Sequence, residues 1–323
     1  MKRIAAIVLC LVMVLSLCAC GGSSAPASSG ADKTYTVGIC QLVQHVALDA
    51  ATQGFKDALT EKLGDKVSFI EQNASGDSAT CSTICNQLVS EKVDLIMANA
   101  TPALQAAAAA TDTIPVLGTS ITDYASALDI DGWTGVTGRN ISGTSDLAPL
   151  ADQAALFGEI LPGIQTVGII YCSAEANSVY QADVIEGFLK ESGYTVKRYS
   201  FADSNDLAGV TGTACAESDA LYIPTDNTAA SFTETINNVA QPAGVPIICG
   251  EEGLCAGCGV ATLSISYYDL GYTTGQMAAE ILTEGADVST MEVRFAPNVT
   301  KKYNADICSA LNIQVPDGFE AIG

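Results

Sequence analysis

The chain has 323 residues, enough for two domains that each bury a core, and its 36 acidic against 14 basic side chains give a formal charge of -22. With no basic stripe to offset it, that acidity argues against nucleic acid and anionic lipid surfaces as partners. One histidine, and no GxSxG, P-loop or HExxH motif, leave little from which to build an enzyme, so neither a catalytic residue nor a cofactor is expected.

The N-terminus carries Lys2-Arg3 and then an apolar run over residues 4–17, the form of a secretory signal and too short for a membrane span. Leu17-Cys18-Ala19-Cys20 places small residues and a cysteine where a bacterial lipoprotein signal is cut. Residues 1–19 therefore read as the signal, Cys20 as the lipidated first residue, and the Gly/Ser/Ala-rich residues 20–33 as a tether. This places the protein on the extracytoplasmic face of a bacterial membrane, held by lipid alone. The alternative is a secreted protein cut near Ala27.

A strand over 35–40 follows, then a loop over 41–45 and a helix over about 48–63, where Ala51, Phe55, Ala58 and Leu59 recur at helical spacing. Next come a strand over 67–72, a turn over 73–78 and a helix through residue 89. Strands over 94–98 and 114–118 complete the first unit. Short links between alternating strands and helices mean parallel strands with right-handed crossovers. The glycine-marked run 133–138 reads as a first crossing into a second unit.

Thr36-Val37-Gly38-Ile39 then returns unchanged as Thr166-Val167-Gly168-Ile169, and the same order of elements repeats. A helix is expected over about 179–192 and strands over 195–200, 219–223 and 245–250. Residues 261–266 read as a second crossing, 268–282 as a helix returning to the first unit, and 292–299 as a third crossing. The expected architecture is α/β, with two similar Rossmann-like lobes whose parallel sheets are joined by a multi-crossing hinge. Lobe 1 is expected over 34–138 plus about 267–288, and lobe 2 over 139–264 plus about 289–323.

In such sheets ligands bind beyond the carboxyl ends of the strands. The loops there hold Gln41, His45, Thr101, Thr119, Ser120 and Asp123 in the first unit. In the second they hold Glu175, Asn177, Ser178, Thr225, Asp226, Asn227 and Glu251. Hydroxyls and amides accept a carboxylate, while Asp226 and Glu251 suit an ammonium, a pairing that fits an amino acid zwitterion. The loops carry no Lys or Arg, which argues against phosphate or sulfate. A plainer reading makes the Thr, Asn and Asp residues helix N-caps. His45 is open between ligand contact and packing. Tyr124, Trp133, Tyr171, Tyr222, Tyr267 and Tyr268 are candidates for an apolar wall. Of the twelve cysteines, Cys81-x3-Cys85 and Cys255-x2-Cys258 have spacings that metal or redox chemistry uses, but one histidine and no second CxxC favour free thiols over a Cys255–Cys258 disulfide and, last, a zinc site.

Several motifs carry a family resemblance. They are Val37-Gly38-Ile39 with Gly54-Phe55, Ala100-Thr101-Pro102-Ala103, Glu175-Ala176-Asn177-Ser178, Tyr222-Ile223-Pro224-Thr225-Asp226-Asn227, Glu252-Gly253 and Tyr267-Tyr268-Asp269-Leu270-Gly271. From Thr34 to about Gly285 the chain resembles the substrate-binding lipoproteins of ABC transporters, in the group with tryptophan- and tyrosine-binding members and the type I periplasmic-binding-protein fold. The resemblance implies a monomeric, non-enzymatic receptor that closes on a small molecule, often an aromatic amino acid, and hands it to a permease driven by an ATPase. Glu251 and Ser266 stand where that family commonly has aspartate, so Ser266 joins the candidate ligand contacts. The alternatives are a sugar or nucleoside receptor of the same fold, a surface enzyme, or a ligand-sensing module.

Overall fold

The computed structural model describes residues 33–296 and 298–322; the expected signal, Cys20 and most of the tether lie outside them. The first unit runs β1 (Tyr35–Gln41), α1 (Val46–Leu63), β2 (Val67–Asn73), α2 (Ser78–Glu91), β3 (Leu95–Asn99), α3 (Thr101–Ala110), β4 (Val116–Ile121), α4 (Tyr124–Ala127) and β5 (Ile141–Ser145). The second runs α5 (Leu150–Ile160), β6 (Thr166–Cys172), α6 (Ala176–Glu191), β7 (Thr195–Phe201), α7 (Leu207–Glu217), β8 (Ala220–Ile223), α8 (Asn227–Ser231), α9 (Thr233–Ala243), β9 (Ile247–Cys249), α10 (Glu252–Cys258) and β10 (Ala261–Ile265). The chain then adds α11 (Tyr267–Ala279), β11 (Arg294–Phe295), β12 (Val299–Tyr303), α12 (Ala305–Ala310) and β13 (Glu320–Ala321).

Every residue of β3, β4, β5 and β8 is buried, as in strands covered on both faces. One face of the first sheet packs on α2 and α3 through Cys81, Ile84, Leu88 and Leu104. Its other face packs on α1 and α11 through Phe55, Leu59 and Met277. Glycine lets those two helices touch. A Cβ on Gly54 would collide with the Tyr268 carbonyl, and one on Gly271 with the Ala51 carbonyl.

Both sheets have the same doubly wound order. The first reads β11-β5-β4-β3-β1-β2 and the second β13-β12-β10-β9-β8-β6-β7. Pairings are parallel except for β10 with β12. Each sheet therefore has its switch point next to the repeated Thr-Val-Gly-Ile strand, where two adjacent loops diverge and leave a crevice.

The first crossing differs from the expectation. Residues 133–138 form no strand, because Gly135 and Gly138 adopt φ of 94° and 66°, which breaks an extended run. Instead β5 pairs with β4, so the first sheet continues to Ser145 and the chain passes to α5 through Asp146. β11 pairs with β5, which places residues 294–295 in the first sheet as well. The cysteines of the described residues are free thiols, all buried but Cys215. Among the described residues no helix is long and apolar enough to cross a membrane.

Candidate functional site

Three buried carboxylates, Asp146, Asp226 and Glu251, line one cavity between the two sheets. Glu251 follows β9 and N-caps α10, accepting from the amides of Gly253 at 2.5 Å and of Leu254. Burial pushes its carboxyl up to about 7. Asp226 follows β8 and N-caps α8, with Oδ1 accepting from the Ala229 amide at 2.9 Å and Oδ2 from the Cys172 amide at 2.6 Å. Burial first, and then the charge of Glu175, push it up to about 7 as well.

Asp146 lies in the first crossing. Its carboxylate accepts from the Thr122 hydroxyl at 3.2 Å and from the Tyr267 hydroxyl at 2.8 Å, and burial raises its carboxyl above the usual range. Residues 261–265, expected as the second crossing, are instead β10 of the second sheet, and the chain passes to the first lobe only at Ser266, where Tyr267 begins α11. The Asp146–Tyr267 bond thus ties two hinge segments together at the floor of the cavity. Among the described residues neither Lys nor Arg lines this cavity, so no permanently charged cation there neutralises the three acids.

His45, Ser120, Asn177, Thr225 and Asn227 complete the expected residues that reach the cavity. Ser120 adopts φ of 57°, and its buried hydroxyl has no hydrogen-bond partner among the described residues. The Asn177 Nδ2 donates to Glu175, Ser178 and the Thr225 carbonyl, while its Oδ1 is unpartnered. Asn227 Nδ2 donates to Glu175 at 2.7 Å, which leaves its Oδ1 to accept from His45 Nε2 at 3.3 Å across the cleft. Burial lowers the imidazole below its usual range, consistent with a neutral ring that donates through Nε2. A second bond between the lobes runs from Gln181 Nε2 to Thr122 Oγ1 at 3.2 Å. With the lobes held this close, the cavity measures about 10 Å³, room for roughly one water.

The other expected residues stand outside this cavity. Gln41 braces the start of α1, donating to Asp49 at 2.7 Å and accepting from Thr52 at 2.6 Å. Thr119 pairs with Thr144 inside the sheet, Asp123 N-caps α4, and exposed Ser266 N-caps α11. The Glu175 carboxylate is saturated by the amides of Asn227 and Thr228, the Thr228 hydroxyl and two Asn side chains. Ser178 is buried behind Asn177, and Thr101 opens α3 with a buried hydroxyl that has no partner. Of the six aromatic candidates only Tyr267 lines the cavity. Tyr124 stacks on Trp133 at 6.3 Å, and the Tyr222 hydroxyl donates to Gln153 in the core.

Leu48, Thr122, Asp146, Ala230 and Tyr267 line the cavity without having been singled out as ligand contacts, save Tyr267 as part of an apolar wall. Asp146 carried a signal that the misplaced crossing concealed. Once residues 141–145 are a strand, Asp146 sits at its carboxyl end like the other site residues.

Known proteins resemble the chain over most of its length. Residues 36–321 match the family model described as ABC transporter substrate binding protein. A tyrosine-binding protein of Clostridioides difficile (strain R20291) is 35% identical over 285 residues, which span 87% of this chain and 82% of that protein. Among solved structures, an ABC domain from Streptococcus pneumonia in complex with L-Trp superposes with a TM-score of 0.85 at 30% identity, covering 90% of this chain and 100% of that one. The ligand-free, open structure of a Clostridium difficile substrate-binding protein with adhesive properties is 34% identical and covers 90% of this chain and 99% of that one, yet its TM-score is 0.69. The chain thus superposes better on the tryptophan complex than on the open protein, although it is less identical to the former. The two-lobed fold is that of type I periplasmic binding proteins. The chain belongs to the ABC transporter substrate-binding protein family.

Proposed function

We propose that this protein is an extracytoplasmic, lipid-anchored receptor that captures an amino acid, aromatic by preference, between its lobes and delivers it to an ABC permease. Cys20 would carry the lipid, and the folded part would act as a monomer without catalysis. The observation that carries the reading is the set of three buried carboxylates around one interlobe cavity whose described lining has no Lys or Arg and whose one histidine, His45, is held towards its neutral form by burial. A buried acid without a cationic partner is costly, so an ammonium group brought by the ligand is the natural complement.

The first lobe suits the other end of a zwitterion. The N-cap of α1 is His45, which lines the cavity and does not cap the helix with its side chain, and the Ser120 hydroxyl is unpartnered among the described residues. Free helix N-termini and hydroxyl donors suit a carboxylate. Closure follows as a population shift, since only the closed form lets one ligand touch both walls. The aromatic preference rests on the tyrosine-binding relative and the tryptophan complex.

Thermal shift of the chain from Ala31 onward, against twenty amino acids with sugars and nucleosides as rivals, tests the proposal. A ligand that binds only the folded state raises the midpoint by mass action. A shift with Trp, Tyr or Phe, confirmed by calorimetry, is the expected outcome; a shift with sugars or nucleosides alone contradicts it.

A further inference from the structure

A second cavity of about 330 Å³ opens in the same cleft. Its walls come from the loops after β1 and β2 and the start of α3 on the first lobe, and from the loops after β6 and β7 and residues 227–232 after β8 on the second. Asn227 lines both this outer cavity and the inner one, so the two are neighbours.

Their chemistry is opposite. In the inner cavity the Ser120 hydroxyl and the Asn177 Oδ1 have no partner. In the outer one the buried polar groups are already engaged: the Glu175 carboxylate accepts from Asn227, Thr228 and Asn177, and both ends of the Asn227 amide are in use. The remaining lining sets exposed Ser75, Ser78 and Asp203 beside apolar surface from Val43 and Pro102 on the first lobe and from Ala174 and Phe232 on the second. Phe232 is a large hydrophobic side chain left 42% exposed. An apolar surface beside saturated polar groups rewards an apolar occupant, and the volume lies in the ordinary range for ligand pockets.

We infer that the outer cavity is the side-chain subsite: the ligand's charged head lies in the inner cavity and its aromatic or large apolar side chain in the outer one, against Pro102 and Phe232. The inference rests on the amino acid reading above. The inner cavity has room for little beyond the head. An occupant that spans both spaces opens the long His45–Asn227 contact between them, and the outer walls, contributed by both lobes, close on its side chain. Amino acids with small side chains leave the outer cavity empty and gain nothing from it. The subsite thereby sets selectivity for large apolar side chains.

The test is calorimetry of Trp, Tyr, Phe, Leu, Ala and Ser with the wild-type chain, with Phe232→Ala and with Ala174→Trp, which fills the outer cavity from an exposed loop position. The expected result is that Ala174→Trp weakens the aromatic amino acids by at least tenfold and Phe232→Ala by about five- to tenfold, while any binding of Ala and Ser changes by less than about twofold. Circular dichroism melts of the two variants distinguish loss of the subsite from loss of the fold. Aromatic binding that both folded variants leave unchanged overturns the subsite alone and leaves the amino acid reading standing. Failure of the wild-type chain to bind any amino acid overturns both.

Discussion

The two lobes share a topology and a repeated strand, yet they face the cleft with opposite chemistry. Strand-end loops of the second lobe place Glu175, Asp226 and Glu251 under cover, each accepting backbone amides at the start of a helix. The corresponding loops of the first lobe bring His45 and Ser120, and the helix that follows His45 begins without a side-chain cap. A doubled fold therefore does not imply a doubled site. Duplication supplies two sets of strand ends, and the residues at those ends decide that one wall is anionic and the other rich in donors. Asp146, in the crossing between the lobes, adds a third carboxylate to the cavity and binds the hinge through Tyr267.

The largest effect is expected from removing the hinge carboxylate. Asp146→Asn keeps the size of the side chain and removes its charge, and it should weaken amino acid binding by about 2–4 kcal/mol, roughly thirty- to a thousandfold. Titration calorimetry measures the loss, and an unchanged affinity would separate Asp146 from the ligand's ammonium.

The pH dependence comes next. Asp226 and Glu251 have carboxyls near 7 when folded, against about 4 in an unfolded chain. Between those values the folded protein holds more protons, so its ligand-free stability falls as pH rises from about 4 to 7 and is flat above that. His45, lowered by burial, works in the opposite direction just below its usual value and offsets part of the fall. Affinity for an ammonium has the reverse slope, because the ligand needs the carboxylate form: binding strengthens up to about tenfold per pH unit towards 7 for each proton displaced, then levels. Melting midpoints of the ligand-free protein and dissociation constants, measured together from pH 5 to 8, should both fall towards pH 7, stability dropping as affinity rises. Glu251→Gln sharpens this test by removing one of the two groups and flattening both slopes.

A smaller effect is expected on the donor wall. Ser120→Ala removes one unpartnered hydroxyl and should cost about 1 kcal/mol of affinity, roughly fivefold, with the melting midpoint nearly unchanged. A variant that binds normally would remove Ser120 from the recognition of the ligand's carboxylate.

The fold was legible wherever burial imposes a pattern. Apolar runs such as Leu95-Ile96-Met97 and the repeated Thr-Val-Gly-Ile announced central strands, and Asp226, Asn227 and Glu251 stood at the ends of recognisable ones. The first crossing was not legible, because Ile141-Ser142-Gly143-Thr144-Ser145 is built of small polar residues. It is a buried strand through its neighbours: Thr144 pairs with Thr119 and Thr274, and Ser142 with the Met291 carbonyl. A long-range polar network of that kind leaves no local trace, and Asp146 was missed with it. Phe232 was missed for a different reason, since its importance lies in being exposed beside a cavity that only the approach of two loops creates.

The most direct test of the account is calorimetry with L-tyrosine or L-tryptophan beside two analogues, the arylpropionate that lacks the ammonium and the arylethylamine that lacks the carboxylate. Opposite walls predict that the intact zwitterion binds and that each truncated analogue loses at least about a hundredfold, a desolvated charge left without its partner. If the arylpropionate binds as tightly as the amino acid, the buried carboxylates are not the ammonium site and the account is contradicted.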